Sequence, residues 1–105
     1  MKIPFLSFDF QIDPHEEELI NSLISVIKSK WYILGKNVAE FEKNYSKLNG
    51  VKYTIGVGSG LDALIISLKT LNITKEDEVI VASNAYIASW LAITSVGAKI
   101  IPVEP

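Results

Sequence analysis

The chain has no cysteine and no arginine, and its one histidine is His15. Without cysteine there is no disulfide, no thiolate nucleophile and no cysteine zinc site, which fits a reducing, cytoplasmic setting. Without arginine no face carries a guanidinium fork for phosphate or carboxylate. All ten basic residues are lysine, set against 12 acidic ones for a formal charge of −2. The basic excess that nucleic-acid binding demands is missing. A lone histidine leaves no histidine cluster for a metal. The N-terminus has too short an apolar run for a signal-peptide core. One uncharged stretch is long, residues 79–98 between Glu78 and Lys99. It contains Ser83, Asn84, Ser89, Thr94, Ser95 and Gly97 and opens on β-branched Val79-Ile80-Val81. It therefore reads as a buried strand, a turn and a buried helix, not a membrane span.

What is present is apolar side chain: 49% of 105 residues, with a mean hydropathy of +0.28. That is rich for a free-standing small domain and suggests surface normally covered by something else. Residues 1–12 read as an extended arm. Asp13-Pro14-His15-Glu16 reads as a helix opening with Asp13 as cap, and Leu19, Ile20, Leu23, Ile24 and Ile27 follow at helical spacing. Glu16, Glu17 and Glu18 suit the positive end of that helix. Trp31-Tyr32-Ile33-Leu34-Gly35 is a loop with a flexible glycine. Asn37 is expected to cap a second helix, and Gly50 to end it in the left-handed stop position. The pattern then changes. Residues 53–57 predict a strand, 61–71 a helix apolar nearly all round and hence buried, 78–82 a strand, 86–96 a helix and 99–103 a strand. Alternation of this kind predicts a parallel sheet with helical crossovers. The organisation is thus an arm over 1–12, two helices joined by an aromatic loop over 13–50, and a βαβαβ part over 51–105.

Ligands of open α/β sheets sit at the carboxyl ends of strands. The first such end is Gly56-Val57-Gly58-Ser59-Gly60-Leu61. The amides of Gly60, Leu61 and Asp62 at a helix N-terminus suit a phosphate, and Ser59 offers a hydroxyl donor. A plain strand-to-helix turn explains the same glycines. The dinucleotide fingerprint fails, because Leu61 stands where its third glycine belongs and Glu78 begins a strand instead of ending one. The phosphate-loop pattern fails too, since no Gly-Lys-Ser/Thr follows. At the second strand end, Ser83 or Asn84 is placed to cap the next helix. Tyr86 is placed either to stack on a flat ring or to sit as partly buried core.

Taken in order, these residues resemble the DegT/DnrJ/EryC1/StrS family of sugar aminotransferases. The segments that carry the resemblance are Ile3-Pro4-Phe5-Leu6, Trp31-Tyr32-Ile33-Leu34-Gly35, Phe41-Glu42 and Val51-Lys52-Tyr53. They continue through Gly56-Val57-Gly58-Ser59-Gly60-Leu61-Asp62-Ala63-Leu64, Asp77-Glu78-Val79-Ile80-Val81 and Ala85-Tyr86-Ile87-Ala88. The resemblance implies the N-terminal part of a fold-type I large domain, α/β in class. It also implies a homodimer dependent on pyridoxal 5′-phosphate that moves an amino group from glutamate to a nucleotide-linked keto-6-deoxyhexose, the Trp-Tyr-Ile-Leu-Gly form looking most like members acting on a dTDP-3-keto sugar. Carried over by position, the amides of Gly60 and Leu61, with Ser59 nearby, hold the cofactor phosphate. Tyr86 stacks on the pyridine ring, while Trp31 and Tyr32 approach the sugar nucleotide.

By the same resemblance, the Schiff-base lysine and the aspartate that pairs with the pyridine nitrogen lie past position 105. No catalytic residue is therefore expected here, and the chain alone is expected to be inactive. A dehydratase relative with histidine for that lysine, a non-catalytic binding or regulatory module, and a small nucleotide-binding α/β domain are the competing readings.

Overall fold

The computed structural model describes residues 3–105. Met1 and Lys2 of the expected arm, and the side chain of Phe10, lie outside the described residues. The chain divides into two compact units, Met1–Thr54 and Ile55–Pro105.

The first unit is helical. The arm is not extended throughout: α1 spans Asp9–Ile12, and a 3-10 turn, Asp13–His15, leads into α2, Glu16–Ser29. The opening signal lies earlier than Asp13, where the Ser7 hydroxyl accepts the Asp9 N–H at 3.2 Å. Pro14 has no N–H to give the preceding turn, so the helical run tightens locally there instead of beginning. His15, not Asp13, occupies the N-cap of α2, without a side-chain cap. Lys30 ends α2 in the left-handed conformation at φ 58°.

α3 spans Lys36–Asn49 behind Gly35, so Asn37 sits inside the first turn and does not cap it. Gly35 has φ −82°, which any residue adopts; the left-handed turn of the aromatic loop falls on Leu34, at φ 52°. Gly50 is left-handed as expected, at φ 66°. The Val51 N–H reaches Ser46 O at 3.1 Å and the Gly50 N–H reaches Lys47 O at 3.4 Å, a paired stop that satisfies the last carbonyls.

Residues 53–57, which run across the boundary between the two units, form no strand. A strand needs a neighbour to complete its ladder, and among the described residues β pairing is confined to two later strands. These are β1, Glu78–Ala82, and β2, Lys99–Val103, which pair in parallel with Glu78 opposite Lys99 and Ala82 opposite Val103. Glu78 Oε1 and Lys99 Nζ meet at 2.6 Å across that first pair. The ladder extends by one bond, Ser83 N–H to Val103 O at 2.8 Å.

α4 spans Gly60–Thr70 and α5 Ile87–Ser95. α5 packs on both strands and α4 packs on α5. Val81, Ile93 and Ala98 form the buried core, ringed by Leu68, Ile73, Trp90 and Ile100 among others. Asn72, at φ 57°, stops α4: its N–H bonds to Lys69 O and the Ile73 N–H to Leu68 O, each at 3.0 Å. Ile73 and Leu68 then both pack against the core, which is the apolar contact that such a stop brings.

The expectation that α4 is buried is not met: none of its residues is buried, and Leu64 and Ile66 are exposed. α4 packs on α5, and its Leu68 packs against the core. No helix is long and apolar enough to cross a membrane among the described residues, and the 79–98 run resolves into β1, a turn and α5 as read.

Candidate functional site

The two helices of the second unit open on one cavity of about 600 Å³. It is lined by Ser59, Gly60, Leu61 and Leu64 of the α4 end, and by Tyr86, Ile87, Ala88, Ser89 and Leu91 of the α5 end. Four of the six predicted site residues, Ser59, Gly60, Leu61 and Tyr86, are therefore brought together. α5 is the crossover between the parallel strands and begins beyond the carboxyl end of β1, and α4 packs along α5 with its own N-terminus at the same cavity.

At α4, Ser59 is the N-cap, extended at φ −160° and ψ 168°. Its Oγ accepts the Asp62 N–H at 3.1 Å and donates to Asp62 Oδ2 at 2.8 Å. Two expectations are corrected by this. The Asp62 amide is engaged by the protein and is not open to an anion. The Ser59 hydroxyl proton is committed to a carboxylate, so it is not a spare donor. Ala63 N–H is the next to bond, to Ser59 O at 3.0 Å. Among the described residues no acceptor engages the Gly60 or Leu61 N–H. A Cβ built on Gly60 would meet nothing within 4 Å, so the space beside its Cα is open.

Tyr86 is the N-cap of α5, makes no side-chain cap and is 80% exposed. It is not the partly buried core residue that was the alternative. Neither Ser83 nor Asn84 caps α5; the Ser83 hydroxyl reaches Glu104 Oε1 at 3.2 Å instead.

Trp31 and Tyr32 belong to the first unit. With Ser25, Ser29, Lys36 and Asn37 they line a smaller cavity of about 320 Å³. Their polar tips are occupied: Trp31 Nε1 donates to Ile33 O at 2.7 Å and Tyr32 Oη to Ile27 O at 3.3 Å. Both residues are 64% exposed, so they offer ring surface, and the Tyr32 Oη still has an oxygen able to accept.

Two features escaped the sequence reading. The carboxylate of Asp62 is part of the α4 cap, and the Ser-x-x-acid spacing of a capping box was its signal. The start of α5 contributes Ile87 and Ala88 to the same cavity wall, which no local motif marks. No group of three or more His, Asp or Glu side chains able to hold a metal occurs among the described residues.

The profile of the DegT/DnrJ/EryC1/StrS aminotransferase family matches residues 13–105. The chain belongs to this family. It is 45% identical over 98% of its length to the dTDP-3-amino-3,6-dideoxy-alpha-D-galactopyranose transaminase of Aneurinibacillus thermoaerophilus, of which it spans 28%. Its structure superposes on DesV of S. venezuelae, solved with a ketimine intermediate, with a TM-score of 0.91 and 38% identity, covering 99% of this chain and 28% of that one. It also matches Spr1654 of Streptococcus pneumoniae, a putative sugar aminotransferase solved in its PLP form, at a TM-score of 0.76 and 32% identity, over 80% of this chain and 21% of that one. The fold is thus the N-terminal part of the α/β aminotransferase fold expected from the sequence. The chain spans little more than a quarter of the length of the first two of these relatives.

Proposed function

We propose that this chain is the cofactor-gripping N-terminal segment of a cytoplasmic, homodimeric aminotransferase that uses pyridoxal 5′-phosphate. Its reaction moves an amino group from glutamate to a nucleotide-linked keto-6-deoxyhexose, a dTDP-3-keto sugar. The observation that carries the reading is that Gly60 and Leu61, whose amides are unengaged, line the same cavity as the exposed Tyr86. The substrate class is supported by the kinship to the dTDP-3-amino sugar transaminase named above.

The residues present fit the cofactor. Its phosphate is a dianion with acceptor oxygens, and open main-chain amides at a helix N-terminus are its natural partners in a chain without arginine. A flat aromatic ring beside them suits a pyridine face. When bound, pyridoxal phosphate supplies the electron sink for amino transfer. The part proposed for these residues is to bind and orient: Gly60 and Leu61 would hold the phosphate end, Tyr86 would set the plane of the ring, and Leu64 and Leu91 give the cavity an apolar wall. Trp31 and Tyr32 supply ring surface for the sugar nucleotide. No residue of this chain is assigned a proton-transfer role.

The test uses protein expressed from its full coding length. Purified with pyridoxal phosphate, it is expected to show a visible cofactor absorbance that borohydride abolishes, and to form an amino sugar from glutamate and a dTDP-3-keto-6-deoxyhexose. Absence of that absorbance in pure, cofactor-supplemented protein refutes the cofactor assignment and leaves a non-catalytic module.

A further inference from the structure

We propose that Asp62 is a positioning residue, whose carboxylate clasps the Ser59 hydroxyl and holds the 58–62 turn so that the Gly60 and Leu61 amides stay aimed at the cofactor phosphate. This inference rests on the reading of the cavity given above and assigns a role within it.

Three observations meet at this carboxylate. Asp62 Oδ2 accepts the Ser59 Oγ–H at 2.8 Å. The same Oγ accepts the Asp62 N–H at 3.1 Å, so cap and third helical residue are tied by two bonds in opposite senses. A Cβ on Gly58 would lie 2.8 Å from Asp62 Oδ2, closer than real Cβ contacts come. The carboxylate therefore lies against the bare backbone of Gly58, and the absence of a side chain there is what gives it room. Gly58 serves the clasp; Gly60, with nothing near its would-be Cβ, serves the opening.

The chemistry of the clasp sets the division of labour. A hydroxyl has one proton, and that of Ser59 is spent on Asp62. The phosphate grip then falls to the main chain, whose direction depends on the turn staying as it is. A charge role and a positioning role for Asp62 predict opposite signs. As a bare negative charge beside a dianion, the carboxylate weakens phosphate binding and its removal tightens it. As a clasp, it organises the donors and its removal loosens the grip.

The experiment measures the affinities of pyridoxal 5′-phosphate and of pyridoxal by fluorescence quenching, on apo-protein expressed from its full coding length. It compares the parent with Asp62→Ala, Asp62→Asn and Gly58→Ala, with thermal melts to confirm folding. Asp62→Ala, which removes the clasp, is expected to bind pyridoxal phosphate roughly tenfold more weakly, the scale of one lost hydrogen bond to a charged group; Gly58→Ala, whose Cβ displaces the flexible end of the Asp62 side chain, is expected to weaken it in the same direction by less. Pyridoxal affinity stays unchanged, a selectivity that a general loss of stability would not produce. Asp62→Asn keeps an oxygen for the hydroxyl and stays within about twofold of the parent. Affinity in Asp62→Ala equal to or above the parent overturns the proposal, as does an Asp62→Asn that falls as far as the alanine. If one clasp-breaking variant fails to melt cooperatively, the other decides. A parent that prefers pyridoxal phosphate over pyridoxal by no margin overturns the phosphate-site reading itself, and the clasp with it.

Discussion

Replacing Gly60 with proline deletes one amide hydrogen from the mouth of α4 and disturbs little else. Gly60 is the first residue of the helix, where an N–H has no intrahelical acceptor and proline is well tolerated. The residue before a proline must be extended, and Ser59 already is, at ψ 168°. No atom lies within 4 Å of where the new Cβ would go. Folding stability is therefore expected to hold or to rise by about 0.4–1 kcal/mol, from the stiffer unfolded chain. A phosphate held by this amide loses a hydrogen bond to a charged acceptor, worth about 1.5–3 kcal/mol. That corresponds to a dissociation constant roughly 10- to 150-fold weaker. Titration of the apo-protein with pyridoxal phosphate reads the affinity, and urea unfolding reads the stability. A variant as stable as the parent and equally tight for pyridoxal phosphate would falsify the placement of the phosphate at α4.

Other substitutions probe separate parts of the chain. Tyr86→Ala is expected to weaken pyridoxal phosphate binding by roughly 3- to 10-fold, the scale of one aromatic contact, whereas Tyr86→Phe holds it. Because Tyr86 is 80% exposed, neither change should move the unfolding midpoint much. Ile93 is only 3% exposed at the centre of the core, so Ile93→Ala should cost about 2–5 kcal/mol, read as a lowered urea midpoint at unchanged slope. Gly97 sits at φ 82° with Lys75 Cβ at 3.6 Å from its would-be Cβ; Gly97→Ala should destabilise by about 1–2 kcal/mol in the same assay. Lys99→Ala breaks the exposed pair with Glu78 and should cost no more than about 1 kcal/mol, diminishing with added salt.

The two paired strands were legible to the residue because each is an uninterrupted apolar run fenced by a charge at its start, Glu78 and Lys99, and their partner is one crossover away. The helix stops at Gly50 and Gly97 were legible because a left-handed residue is a local need that glycine meets. Asn72 fills the same need without glycine and was passed over. The start at Asp13 was misplaced because a proline that opens a helix and one that tightens a continuing helix look alike in sequence. Residues 53–57 have strand chemistry, but pairing is a property of a neighbour, and no local pattern supplies one. At the site, the amides of Gly60 and Leu61 could be read from a turn followed by an apolar run. The Ser-x-x-acid spacing of Ser59 and Asp62 marked a cap, but not that the Ser59 hydroxyl donates to the carboxylate, which depends on where that side chain swings.

An anion gripped by main-chain hydrogens is gripped by atoms that nearly every codon encodes. Position 61 can drift among ordinary amino acids without subtracting a donor, and only a change to proline strikes one out. Under the proposed reading, the recognition step therefore depends little on which side chain stands at position 61. What the lineage has to preserve there is the bend of the chain.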